Sequence, residues 1–76
     1  MNETLQKLLN KFVVIEYTNG DGTAHRTIAI LRSMDSDLLS FETPAKHTVF
    51  VVHLSKVVEI SELPPDKIKP EFVDYA

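Results

Sequence analysis

The chain has 76 residues, enough for one small domain, and contains no cysteine, which excludes a disulfide framework and a thiolate metal site. Its net charge of −3 argues against a large, sequence-blind polyanion-binding surface. No apolar run approaches the ~18 residues of a membrane span. Hydrophobic residues at 43% and charged residues at 25% suit a globular fold. So short a domain buries a modest fraction of its surface, so association with further copies is the expected source of extra stability. Met1 leads into Asn2 and Glu3, not into a basic start with an apolar core. No secretory signal is therefore expected, and the expected location is the cytoplasm, without a membrane partner.

Residues 2–11 read as a short helix. Leu5, Leu8, Leu9 and Phe12 recur at helical spacing, with Asn2 placed to cap the start and Lys7 and Lys11 towards the end. Ten residues do not hold a helix alone, so the leucine face is expected to dock on a sheet. At 12–18 the period changes to two: Val13, Ile15 and Tyr17 share one face. Asn19-Gly20 then gives a strong hairpin signal, and Gly22 allows a longer loop. A phosphate-loop reading of Gly20-Asp21-Gly22 fails, because neither a helix nor a Lys-Ser/Thr pair follows.

A second strand is expected at 24–34, with Ile28, Ile30 and Met34 on one face and Ala29 and Leu31 on the other. Apolar residues on both faces imply a strand that bends between two layers. Asp35-Ser36-Asp37 is turn chemistry, and 38–43 forms the third strand. Pro44-Ala45 makes a tight connection into strands at 47–52 and 56–60. Thr48, Phe50 and Val52 take one face of the fourth strand, and Val49, Val51 and His53 the other. These last strands are more apolar than a sheet covered on one side requires. Either the sheet curls to cover both faces, or the surplus pairs with another copy; the second is favoured, since only Lys56 guards this edge. The interface candidates are Val49, Phe50, Val51, Val52, Val57, Val58 and Ile60. Residues 61–76 form a proline-bearing tail, either frayed or laying Ile68, Phe72 and Tyr75 on a neighbouring subunit.

No catalytic constellation is legible, so no enzyme and no cofactor is expected. Ser36 between two aspartates is ordinary turn composition. The spacing of His25, His47 and His53 matches no metal motif. His53, between two apolar strands, either hydrogen-bonds locally or contacts a ligand. An imidazole can stack on and hydrogen-bond an unpaired base, and Lys56 could hold a phosphate.

Three stretches carry a family likeness: VVIEYTNG (13–20), SMDSDLLSF (33–41) and FVVHLSKVVEI (50–60). Together they resemble the Sm-like family, Hfq-type members included. The first is similar to the opening strand and hairpin of the Sm1 motif, the second to its end, with Asp35 at the turn aspartate, and the third to the Sm2 motif, with His53 similar to the Hfq signature histidine. The likeness spans about residues 3–60. Ala29 stands where the family has a glycine, Leu39 where Sm proteins have an asparagine, and Val52 where a basic residue is usual. The resemblance implies a mainly β fold: an N-terminal helix, then a five-stranded, strongly bent antiparallel sheet forming a small, partly open barrel of SH3 type. It also implies a closed homo-oligomeric ring in which the fourth strand of one copy pairs with the fifth of the next. Single-stranded RNA would lie near the pore, contacted from the turns by Ser36, Asp37, His53 and Lys56. A protein-binding scaffold of the same fold without RNA is the rival expectation.

Overall fold

The computed structural model describes the backbone of residues 3–75 and the side chains of 3–72. Helix α1 covers Glu3–Gln6, followed by strands β1 (Phe12–Thr18), β2 (Ala24–Asp35), β3 (Leu38–Glu42), β4 (Val49–His53) and β5 (Val57–Glu62). Short 3-10 turns occupy Leu54–Lys56, Pro65–Lys67 and Pro70–Tyr75. The fold is mainly β: one antiparallel sheet in the order β4-β3-β2-β1-β5, with a single short helix. No pairing joins β4 to β5 among the described residues, so the sheet stays open.

The helix is shorter than the expected 2–11. After Gln6 the backbone tightens, with Leu8 and Leu9 amides donating to the carbonyls of Leu5 and Gln6. Asn10 stops it at φ 61°, a left-handed conformation that asparagine tolerates. Its amide donates to Leu31 O at 2.6 Å, so the stop is also an anchor on β2. Asn2, the expected cap, lies outside the described residues. Leu5 and Leu8 are buried in the main core as expected. Phe12 is not with them: it opens β1 with its side chain on the opposite face of the sheet.

Strand β2 organises the sheet. Its first half pairs with β1, from Thr18↔Ala24 to Phe12↔Ile30, and its second half pairs with β3 down to Asp35↔Leu38. Ala29, Ile30 and Leu31 are all fully buried, on alternate faces. Ala29 and Leu31 join Val13, Ile15, Leu39, Phe41 and Val52 in the main core, whereas Ile30 joins Phe12 and Leu63 in a second cluster. A strand passing between two packed layers is therefore observed. The pairing slips between Leu31 and Ser33, and this bulge moves Met34 to the main-core side, away from Ile28 and Ile30 with which simple alternation had grouped it. A second bulge, where β1 meets β5, leaves Val58 unpaired between Glu59 and Val57. Val57 and Ile60 consequently both face the core, three residues apart.

The first hairpin uses the longer loop. Asn19 O accepts from the Gly22 amide, Asn19 N donates to Thr23 O, and Gly22 rather than Gly20 takes the positive φ, 84°. Asp21 Oδ1 accepts from the Thr23 amide at 2.9 Å. The expected boundary at residue 60 also moves. β5 runs to Glu62, Leu63 N donates to Phe12 O at 2.9 Å, and Leu63, Ile68 and Phe72 pack with Phe12, Val14 and Ile30. The tail through Phe72 docks on its own chain, where the sequence reading offered a frayed end or a neighbouring subunit. The side chain of Tyr75 lies outside the described residues.

Candidate functional site

Two turns expected to work together are joined in the structure. Asp35 and Leu38 close a two-residue connection in which Ser36 adopts φ 54°. Leu38 pairs in turn with His53, the last residue of β4, and Leu54 N donates to Asp37 O at 2.6 Å. The 35–37 turn and the 53–56 turn therefore form one edge of the molecule, with Ser36, Asp37, His53 and Lys56 all exposed on it.

His53 has the local role that was one of its two readings. Its Nδ1 accepts from Ser55 N at 3.1 Å and lies 2.8 Å from Ser55 Oγ, capping the 3-10 turn. An Nδ1 that accepts leaves the neutral ring's proton on Nε2, free to donate outward. Lys56 follows in the same turn, and its carbonyl accepts from Thr18 Oγ1 at 3.5 Å. Beside them lies a depression of about 750 Å³, lined by Leu5, Met34, Leu39 and Leu54 with Asp35, Ser36 and Asp37. Its lining holds two carboxylates and no cation.

The interface candidates divide by face. Val49, Val51 and Val58 are exposed at 63%, 56% and 58%, on the two edge strands. Phe50, Val57 and Ile60 are half-buried against the core. Val52 differs from these: its side chain is buried in the chain's own core, which leaves its edge-strand backbone to meet a neighbour. The three histidines stand apart. His25 stacks on Tyr17, His53 caps its turn, and His47 Nδ1 lies 3.2 Å from Glu42 Oε2. Glu42 also accepts from Arg32 Nε at 2.8 Å, and these two partners, Arg32 first, hold its carboxyl below its ordinary value of 4.5.

A second concavity was not anticipated. It lies over the outer face of β1 and β2, between the docked tail and the Thr43–Thr48 connection, with a volume of about 940 Å³. The signal that could have found it is Lys67-Ile68-Lys69 in the tail, two cations flanking an apolar anchor.

Comparison with protein-family models, with curated proteins and with solved structures finds no match to this chain.

Proposed function

We propose that this protein is an Sm-like, ring-forming protein: a small, partly open barrel that closes into a homo-oligomer by pairing β4 of one copy with β5 of the next, and that binds single-stranded RNA near the pore. The observation that carries this reading is the strand order. It leaves β4 and β5 as the two free edges, and both present exposed valines. Unpaired apolar edges invite strand addition. RNA then meets the joined turns: His53 Nε2–H and its ring face engage a base, Lys56 neutralises a phosphate, and Ser36 and Asp37 supply polar contacts.

Sedimentation tests the assembly. The parent should run as a closed oligomer and Val51→Lys as a smaller species; because Val51 is exposed, the variant keeps its fold. If both run as monomers, the pairing is refuted. Titration with short A-rich and U-rich RNA at low salt tests the ligand. Salt-sensitive binding that weakens in His53→Ala and Lys56→Ala supports it, and no binding at micromolar protein refutes it.

A second reading is a protein-binding scaffold of the same fold. It is favoured by the depression at the joined turns, whose ionisable lining residues are Asp35 and Asp37 alone. Assembly without RNA binding would select it.

A further inference from the structure

The groove over β1 and β2 belongs neither to the edges nor to the joined turns. Val14 and Ile28, paired across the two strands, lie at its base. Leu63, Ile68 and Phe72 form one wall, and Pro44 and Ala45 stand opposite. Ile28 is 45% exposed at mid-strand, an apolar side chain that its own chain covers only in part. The ionisable residues lining the groove are all cations: Arg26, Lys46, Lys67 and Lys69. They are four of the eight Lys and Arg residues in a chain with eleven Asp and Glu. Arg26 faces Glu16 at 3.4 Å, and Lys69 Nζ stands 6.0 Å from the Phe72 ring centroid. Neither Lys46 nor Lys67 has a carboxylate partner among the described residues.

We propose that this groove binds an acidic segment of a partner protein. The peptide sets an aliphatic or aromatic side chain on Val14 and Ile28 and turns its carboxylates towards Lys46, Lys67, Lys69 and Arg26. An apolar floor with a cationic rim matches that chemistry in both parts. A single nucleic-acid strand would instead call for exposed aromatic platforms along a cationic track. Of the two aromatic residues that line the groove, Phe12 is buried and Phe72 is half-buried against the Phe12, Ile30 and Leu63 cluster.

The test is an amide chemical-shift titration of the full chain with a decapeptide alternating Glu with Leu and Phe. A second peptide carries Lys in place of Glu, and a third carries Ser in place of Leu and Phe. The acidic peptide should shift Ile28, Lys46 and Lys67, and both control peptides should bind at least tenfold more weakly. Ile28→Glu, and separately Lys46→Glu with Lys67→Glu, should each weaken the acidic peptide at least tenfold with the spectrum of the fold retained. The lysine pair is fully on the surface and carries the test should Ile28→Glu disturb folding. Absence of shifts at millimolar acidic peptide, equal binding of a control peptide, or full affinity in the folded variants overturns the proposal. Displacement of the peptide shifts by oligo-U at the same residues overturns it too. Sedimentation mass reports on ring formation separately, so either idea can fail alone.

Discussion

Tyr17 on β1 and Phe50 on β4 stack with ring centroids 5.7 Å apart, although β2 and β3 lie between their strands in the sheet. Phe50 stacks on Phe41 at 5.3 Å, and Tyr17 on His25 at 5.7 Å. Four rings thus run across the curl of the sheet and tie an edge strand to the far side.

Truncation to alanine at Phe50 should cost about 1–3 kcal/mol, set by its partial burial. A double-mutant cycle with Tyr17→Ala should return a coupling of about 0.5–1.5 kcal/mol. Urea unfolding of the four proteins measures both. A coupling of zero would mean that the rings are neighbours without mutual attraction.

Acid should expose the role of Glu42. Its carboxyl is lowered on folding by Arg32 and then His47, so its contribution is complete above the ordinary value of 4.5 and is lost as pH falls through the depressed one. As pH falls through and below 4.5, the urea midpoint of the parent should drop more steeply than that of Glu42→Gln. Arg32→Met should flatten the profile in the same direction. Asp21, lowered by its bonds to Thr23, adds a slope that all three proteins share.

Residue 36 should favour glycine. Ser36 holds φ 54° in a two-residue connection, where a Cβ costs about 1–2 kcal/mol and a β-branched side chain more. Ser36→Gly should be neutral or slightly stabilising, and Ser36→Val should be less stable than Ser36→Gly by about 1–2 kcal/mol in thermal or urea unfolding.

Ile68 should matter to the first strand. Because Ile68 packs with Phe12 and Leu63, Ile68→Ala should destabilise by about 1–2 kcal/mol and speed amide exchange at Leu63, whose N–H bonds to Phe12 O. Unchanged exchange there would indicate a tail that does not support β1.

Much of this architecture is legible in the residues. Alternation at 12–18, the aspartate turn and the two late apolar runs place all five strands to within two residues or so at each end. What escaped depends on events that a period of two does not record. The bulge after Leu31 re-aims Met34, and the unpaired Val58 brings Val57 and Ile60 to one face. Phe12 reads as the fourth member of a helical stripe, yet the left-handed Asn10 breaks that stripe first. Each of the two turns was legible from its own local chemistry, but that they lie side by side was expected only from the family likeness. The cationic groove was not, since Arg26, Lys46 and Lys67 are distant in sequence and only the docked tail assembles them.

The shortness of the Leu54–Lys56 connection has a consequence for the whole molecule. Through the pairings, Val57 stands level with His25 at one end of β2, and His53 stands level with Asp35 at the other. On a flat sheet those two points would lie on a diagonal of nearly 40 Å, from strand spacing and rise of about 4.8 and 3.3 Å. Four residue steps reach about 14 Å at full stretch. The chain cannot be threaded through this order without rolling the sheet into a corner. Curvature is thus imposed by the length of a tether and would survive considerable repacking of the interior. Splicing a long flexible insert between His53 and Val57 is the change that would release it.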